Sequence, residues 1–262
     1  MRFDILTIFP QLLASPLEEG IISRALRDGK IEIAIHNIRD FATDKHAMTD
    51  DRPFGGGEGM VMKPEPIAAA LARVRQGHPG GKVVLLSPQG RRYDQGVAAE
   101  LAREEHLVLL CGRYEGVDER IREHYVDEEI SIGDYILTGG ELAALVLVDS
   151  ITRLLPGVLG CADSAANDTF SRGLLKHPQY TRPREFEGES VPEVLLTGDH
   201  QGVAEWRLVA SVRQTMRRRP DLLRQAAFGT GELKILKKHG LLADLEKITP
   251  PADRGGDHDG GR

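Results

Sequence analysis

The chain has 262 residues, of which 40% are hydrophobic and 28% charged, with a formal net charge of −6 at pH 7. That composition is typical of a soluble globular protein with one large domain, or with a domain and an appendage. No apolar run approaches the roughly 20 residues of a membrane span, and the N-terminus lacks the apolar core and cleavage site of a signal peptide. The two cysteines, Cys111 and Cys161, make neither a disulfide framework nor a metal cluster. We therefore expect a bacterial-type cytoplasmic protein with no membrane partner.

The N-terminal region predicts a strand, a helix and a second strand. Residues 3–9 are strand-like, and Ser15 with Glu18 predicts a capping box that places Pro16 at the first helical position. Isoleucines alternate with other residues over 31–35, as in a strand. This order predicts an α/β fold with a parallel sheet.

A long polar loop follows at residues 37–64. It is rich in glycine, but Met60 and Met62 stand where a dinucleotide fingerprint would need its third glycine, and no G-K-[ST] is present. Loops of this length without elements of their own are functional or disordered. A lid and a substrate-side loop both fit the pattern, and we favour the lid.

Three short apolar strands run into loops that carry glycine, at residues 87–90, 112–116 and 133–140. Ligands of α/β sheets bind beyond the carboxyl ends of the strands. Glycine lets the backbone approach closely, and the last loop adds the apolar side chains of Tyr135 and Ile136. The three loops together predict a ligand site, provided that the strands are neighbours. Cys111 ends one of these strands, and we expect it in the core.

The C-terminal part differs from the rest in charge and pattern. Residues 141–155 predict a helix that is apolar around most of its surface and therefore buried on several sides, as it would be between the sheet and a second subunit.

Residues 200–240 contain nine Lys and Arg against three Asp and Glu, a net charge of +6, while the remaining chain sums to −12. That asymmetry predicts a polyanion partner, and the alternative is an ordinary exposed helix face. Trp206 in this region is more typical of a core than of a base-stacking site.

Six motifs are similar to those of one known family. They read D-R-P-F-G-G-G at 51–57, S-P-Q-G at 87–90, G-R-Y-E-G-V-D-E-R at 112–120, S-I-G-D-Y-I-L-T-G-G-E at 131–141, L-P-G-V-L-G at 155–160 and Y-T-R-P at 180–183. With them, the chain resembles the bacterial tRNA (guanine-N1)-methyltransferases of the SPOUT class from its N-terminus to about residue 240.

The resemblance implies a specific architecture. Residues 1–160 would form a SPOUT-type knotted methyltransferase domain with a parallel sheet, and residues 161–190 an interdomain linker. Residues 191–245 would form a small helical tRNA-binding domain, and residues 246–262 a disordered tail. Threaded chains are so rare that the sequence pattern by itself would not predict a knot. The knot is therefore implied by the family resemblance alone. The family also implies a homodimer whose active sites are shared between subunits, which agrees with the apolar helix.

The resemblance further implies S-adenosylmethionine as the methyl donor, bound by the three glycine loops. The residues that it assigns to this site are Leu86, Ser87, Pro88, Gly112, Tyr114, Glu115, Gly116, Ile132, Gly133, Asp134, Tyr135, Ile136, Leu137, Gly139 and Gly140. A dependence on Mg²⁺ follows by family analogy only, since no ligand set with metal spacing is visible.

The chemistry of N1 methylation requires a base and a cation. N1 of guanine carries a proton near neutral pH, and a carboxylate whose pKa is raised by desolvation can remove it. An arginine would stabilise the negative charge that moves onto O6. The family pattern places these roles on Asp168 and Arg153 and the target guanine at position 37 of tRNA, next to the 3′ side of the anticodon.

Glu115 is a second acidic candidate, close to the sulfonium of the methyl donor if the loop is placed as supposed. Its alternative role is an ion pair with Arg113 or Arg120. The chain departs from its relatives at Glu58, where a proline is common, and at Lys176, where some relatives carry an acid. The stiffness of the first loop and the contact made from position 176 are therefore in question.

Two other functions remain open at this point. A ribose 2′-O-methyltransferase would share the fold class, and a non-catalytic tRNA-binding or nucleotide-sensing protein would bind RNA without methyl transfer. In each of these interpretations the nucleic-acid partner is RNA, with no role for DNA.

Overall fold

The computed structural model of the protein describes residues 1–160, 168–170, 172–224 and 226–248. The chain forms two compact units, Met1–Ala162 and Asp163–Arg262. Cys161, residues 161–167 of the predicted linker and residues 249–262 of the predicted tail lie outside the described residues. The functions that we assign to the predicted domains stay predictions, because compactness does not reveal function.

The first unit alternates strands and helices along the chain. Its strands are β1 (Arg2–Thr7), β2 (Glu32–Asn37), β3 (Asp50–Asp51), β4 (Val61–Met62), β5 (Lys82–Arg92), β6 (His106–Cys111) and β7 (Glu128–Ser131). Its α-helices are α1 (Gln11–Leu17), α2 (Gly20–Arg27), α3 (Pro64–Gly77), α4 (Gln95–Leu101), α5 (Glu119–Tyr125) and α6 (Glu141–Thr152).

The central sheet has the strand order β2-β1-β6-β5-β7, and each neighbouring pair in it is parallel. This confirms the predicted α/β fold with a parallel sheet. Both faces of such a sheet are covered by helices, so its central strands are mostly apolar. The knot that the resemblance implies stays a prediction.

Alternation along the strands divides the core of the first unit between the two faces. In β1, Phe3 and Ile5 pack into one apolar cluster and Leu6 into the other. The first cluster also takes residues of α1, α2, α4 and α6, and the second takes residues of α3 and α5. Since side chains of a strand point alternately to opposite faces, helices lie on both sides of the sheet.

The predicted helix start at Ser15 is wrong. Pro16 lies inside α1, whose Leu13 and Leu17 are buried one turn apart. The chain then breaks, and α2 begins at Gly20 after Glu19 in an extended conformation. Two short helices each bury their own apolar pair, so tertiary packing overrides the local capping signal.

The prediction that residues 87–90 form a loop after a strand is also wrong. β5 continues to Arg92, and its register with β7 shifts between Leu86 and Arg91. Gly90 lies at this irregularity, where an added Cβ would be 2.4 Å from the backbone nitrogen of Ile130. A glycine inside a strand commonly marks such a bulge or a close backbone approach.

Helix α6 is shorter than predicted and is buried on one side in this chain. Ala144, Leu147, Val148 and Ile151 pack into the core. Leu142 is 57% exposed and Val146, one turn later, is 43% exposed. An apolar strip one turn long therefore faces outward.

The second unit is helical apart from a small hairpin. Its elements are β8 (Glu185–Phe186), β9 (Glu189–Ser190), α7 (His200–Arg218), α8 (Thr230–Lys238) and α9 (Leu242–Ile248). Its core consists of leucines and valines: Leu174, Val209, Val212, Leu223, Leu236, Leu241 and Leu245. Helix α9 continues to Ile248 and so covers the first three residues of the predicted tail, because Leu245 is buried in this core. Within the described residues, no helix is long and apolar enough to cross a membrane.

Candidate active site

The three glycine-carrying segments meet at one edge of the sheet, residues 87–90 within β5 and the loops at 112–116 and 133–140. Strands β6, β5 and β7 are neighbours and run parallel, so their carboxyl ends lie together. There the loops surround a cavity of about 390 Å³. Its volume falls within the range of about 300–1,000 Å³ that is typical of small-molecule sites.

Most of the residues that we assign to the methyl donor line this cavity. The lining residues among them are Leu86, Ser87, Pro88, Gly112, Tyr114, Glu115, Gly116, Ile132, Gly133, Tyr135, Ile136, Leu137, Gly139 and Gly140. Asp134 is exposed and does not belong to this lining. At the mouth, Tyr135 is 54% and Ile136 80% exposed, so apolar surface is present there as predicted.

The cavity wall also contains residues that sequence reasoning missed. They include Gln89, Arg113, Arg122, Thr138 and Ala143. Gln89 belongs to the quoted S-P-Q-G motif, which was a usable signal. Arg122 Nη2 donates to Gln89 Oε1 (2.8 Å) from helix α5, and this contact depends on the fold and cannot be seen in the sequence.

Close backbone packing explains the glycines at the back of the cavity. The N–H of Gly140 donates to the carbonyl oxygen of Gly112 (2.9 Å). A Cβ at Gly140 would lie 2.8 Å from the Cα of Cys111, and one at Gly112 would lie 3.3 Å from the carbonyl oxygen of Leu86. Side chains at these two positions would push the strand ends apart and fill the space between the loops.

A buried ion pair fixes two of the loops relative to each other. Arg113 Nη2 and Glu141 Oε2 are 3.0 Å apart, and the Glu141 side chain is 1% exposed. Thr7 Oγ1 donates to Glu141 Oε1 (2.7 Å), and the Arg113 guanidinium lies 4.4 Å from the Phe9 ring centroid. A buried charge requires such partners. The loop after β6 is thereby braced against the start of α6.

Cys111 is the last residue of β6 and is fully buried, which confirms its predicted place in the core. Burial, and secondarily the charge of Glu141, raises the pKa of its thiol well above the usual range. The thiol is therefore protonated at neutral pH, and it is not a candidate nucleophile.

The end of the predicted lid is joined to the second glycine loop. The backbone N–H groups of Glu115, Met62 and Asp118 donate to the carbonyl oxygens of Met60, Gly116 and Met62, at 2.9, 2.9 and 3.0 Å. The segment before this junction contains Phe54, which is fully exposed. Residues 60–62 are thus part of the structure around the cavity, whereas the lid function of residues 37–64 stays a prediction.

The predicted alternative role of Glu115 as an ion-pair partner is wrong for both arginines. Arg113 pairs with Glu141, and Arg120 Nη2 lies 2.8 Å from Asp118 Oδ2. Glu115 instead lies against Gly59, where an added Cβ would be 2.5 Å from Glu115 Oε1.

The two predicted catalytic residues belong to different compact units. Arg153 is the C-cap of α6, and its N–H donates to the carbonyl oxygen of Asp149 (3.2 Å). Asp168 lies in the second unit with a side chain that is 31% exposed, 3.0 Å from Lys176 Nζ. Their joint action at one guanine stays a prediction.

The second unit presents the predicted basic surface. All nine Lys and Arg of residues 200–240 are exposed. Trp206 is partly buried, with its ring centroid 6.0 Å from that of His177 and 6.2 Å from that of Tyr180. Trp206 is thus part of an aromatic cluster at the surface of this unit and does not belong to its apolar core.

Comparison with known proteins agrees on one family. The sequence profile described as "tRNA (Guanine-1)-methyltransferase TrmD" matches residues 1–225. The chain is 56% identical over 238 residues to a tRNA (guanine-N(1)-)-methyltransferase of Geotalea uraniireducens, covering 91% of this chain and 96% of that protein. A protein of the same description from Geobacillus kaustophilus is 56% identical over 223 residues, covering 85% and 91%.

A solved structure is similar in fold as well as in sequence. The crystal structure of a tRNA (m1G37) methyltransferase from Aquifex aeolicus matches with a TM-score of 0.70 and 41% identity. The match covers 85% of this chain and 94% of that one.

Proposed function

The chain belongs to the tRNA (guanine-1)-methyltransferase TrmD family, and we propose that it methylates N1 of the guanine at position 37 of tRNA, next to the anticodon. The observation that carries this proposal is the cavity at the ends of β5, β6 and β7, which is lined by the loops that hold the family motifs. The similar Aquifex aeolicus protein is a tRNA (m1G37) methyltransferase, which supports the position on the tRNA.

We propose S-adenosylmethionine as the ligand of this cavity. It would supply a methyl group on a positively charged sulfur, which makes the methyl carbon electrophilic. The wall offers apolar side chains for a flat ring and glycine backbone for close polar contacts, and Gly112 and Gly140 leave room that a Cβ would fill. Glu115 lines the same cavity and would offer a carboxylate to a positive charge.

Asp168 and Arg153 are the proposed catalytic residues. The Asp168 carboxylate would take the proton from guanine N1, and the N1 electron pair would then form the new bond to the methyl carbon. The carbon–sulfur bond breaks, its electrons stay on sulfur, and the products are N1-methylguanine and S-adenosylhomocysteine. During the proton transfer, the Arg153 guanidinium would stabilise the negative charge that develops on O6.

We propose a homodimer in which each active site draws on both subunits. Leu142 and Val146 form an outward apolar strip on α6, and a second copy would cover it.

We propose the exposed cations of residues 200–240 as the surface that binds tRNA phosphates. We also propose a cytoplasmic location, which a tRNA substrate supports.

The Mg²⁺ that the family analogy implies has no assigned ligands. The described residues contain no group of three or more His, Cys, Asp or Glu side chains that could hold a metal ion. The proposed mechanism includes no step through this ion.

Primer extension on a reacted tRNA transcript tests the proposal. N1-methylguanine cannot form a Watson–Crick pair and stops reverse transcriptase, so we expect a stop at position 37 that disappears when this guanine is replaced. A ribose 2′-O-methyl group would leave extension intact, and a non-catalytic RNA-binding protein would release no S-adenosylhomocysteine.

The Asp168→Asn variant tests the assigned base. We expect turnover to fall by roughly 10²–10⁴-fold, the usual contribution of general base catalysis, while the methyl donor still binds. Near-normal turnover in this variant would refute the role of Asp168.

A further inference from the structure

We propose that Lys176 is a positioning residue for the methyl transfer, which keeps the Asp168 carboxylate ionised and oriented. This inference rests on the proposed function, in which Asp168 is the base. The ion pair itself is a feature of the chain: Lys176 Nζ donates to Asp168 Oδ1 at 3.0 Å.

The backbone that carries Lys176 is held on both sides. Its N–H donates to Thr169 Oγ1 (3.2 Å), and its carbonyl oxygen accepts from Gln214 Nε2 (3.3 Å) of helix α7. The preceding residue, Leu175, donates its N–H to Thr215 Oγ1 (2.9 Å), and Thr215 is fully buried. The backbone from which the lysine side chain extends is therefore held against α7.

The segment that carries Asp168 folds back onto the same support. The N–H of Phe170 donates to the carbonyl oxygen of Leu174 (3.2 Å), and Leu174 is buried in the core of the second unit. Gly173, with φ +67°, makes the turn between them. The ion pair joins the segments on either side of this turn, so it restrains the direction in which the carboxylate points.

Other charges nearby are already engaged. Arg172 Nη2 lies 2.7 Å from Glu232 Oε1, and Arg219 Nη2 lies 2.6 Å from Asp221 Oδ2, with the Arg219 guanidinium over the Phe170 ring. The Lys176 ammonium is placed on Asp168 by a described contact.

The pair has a direct consequence for the proton transfer. A base must be ionised before it can accept the N1 proton, and an adjacent cation favours the ionised form of a carboxylate. In the free chain the two side chains are 43% and 31% exposed, so water weakens the attraction. A bound nucleobase would exclude water and strengthen it. The lysine would then extend the active range toward lower pH.

The test is the pH dependence of methyl transfer in single-turnover reactions with saturating tRNA and S-adenosylmethionine. In Lys176→Gln we expect the acid side of the profile to move to higher pH by about half to one unit. Lys176→Arg keeps the charge and should restore the wild-type midpoint. Lys247→Gln removes another exposed ion pair of the second unit, the one with Asp244 (2.9 Å), and should leave the profile unchanged.

A purely structural role would lower the melting temperature or raise KM without moving the midpoint. An unmoved midpoint in a folded Lys176→Gln variant overturns the inference while leaving the proposed function in place. If Asp168→Asn retains the wild-type rate, the proposed role of Asp168 as the base fails, and the inference fails with it.

Discussion

Asp4 is a buried carboxylate at the centre of a polar cluster on the sheet. Its side chain is 1% exposed and lies 2.6 Å from Arg2 Nε, 2.5 Å from His36 Nε2 and 2.8 Å from His106 Nε2. Burial alone raises the pKa of Asp4, but the hydrogen bonds from His36, Arg2 and His106 outweigh it and hold the pKa well below its ordinary value. The ionised carboxylate is therefore favoured in the folded state.

This shift predicts a pH-dependent loss of stability in Asp4→Asn. Because its pKa is depressed in the folded state, the ionised Asp4 carboxylate contributes to the free energy of unfolding. That contribution is complete above the unfolded-state pKa of about 3.9, and it is lost as pH falls through the folded-state pKa. We expect a loss of about 3 kcal/mol at pH 7, which shrinks by about 1 kcal/mol between pH 5 and pH 3. Urea unfolding at each pH measures it.

Asp221→Asn is the matched control. Its carboxylate also pairs with an arginine but is 57% exposed, so its replacement should change stability little at any pH. A loss in Asp4→Asn that stayed constant from pH 7 to pH 3 would contradict this account of the cluster.

At the scale of single residues, the glycines are what made the ligand site predictable from the sequence. Gly112, Gly133 and Gly140 are expected at a ligand site, and they line the cavity. A Cβ at Gly112 or Gly140 would meet neighbouring backbone, and Gly133 has a φ of +149°. The bracing pair of Arg113 and Glu141 was not predicted. Such a pairing joins residues 28 apart in the sequence, and charge type alone does not specify which partner a buried arginine takes.

The parallel order of the elements could be predicted, whereas their boundaries could not. Alternation of isoleucines indicated β2 correctly. The capping box at Ser15 predicts the wrong helix start, because burial of Leu13 and Leu17 in the core extends α1 across this residue. The bulge in β5 was missed because it depends on the approach of β7 at Gly90, a neighbour that the sequence does not identify.

The outward apolar strip of helix α6 predicts how two copies of the chain assemble. Replacing Leu142 and Val146 together by aspartate puts charges on the strip that the proposed partner would cover, and burying unpaired charges is strongly unfavourable. We expect the double variant to sediment as a monomer and to lose methyl transfer. Replacing Arg73 of α3 by aspartate alters an exposed site elsewhere and should leave the dimer intact. A dimeric, active double variant would exclude this strip from the interface.

At the scale of the whole molecule, the two units differ in charge. Residues 200–240 have a net charge of +6 in a chain whose total is −6, and their cations are exposed. This distribution separates the proposed tasks: the first unit holds the methyl donor, and the second attracts the polyanion.

Arg217→Glu with Arg218→Glu tests this division. Repulsion should weaken tRNA binding at least tenfold, and the slope of log affinity against log salt should fall by about 0.7–0.9 for each phosphate that the variant no longer neutralises. Affinity for S-adenosylmethionine should not change. Filter binding over a range of salt and calorimetry measure the two affinities, and an unchanged tRNA affinity would remove these arginines from the binding surface.

Calorimetric titration of S-adenosylmethionine into the wild-type chain, Gly140→Val and Gly77→Ala is the most direct test of the proposed cavity. A valine at position 140 meets the backbone of Cys111 and Gly112, whereas a Cβ at Gly77 in α3 meets nothing within 4 Å. We predict binding to the wild-type chain and to Gly77→Ala with equal affinity, and at least a tenfold weaker affinity for a folded Gly140→Val. Absence of binding to the wild-type chain, or unaltered affinity in Gly140→Val, would contradict the assignment of this cavity to the methyl donor.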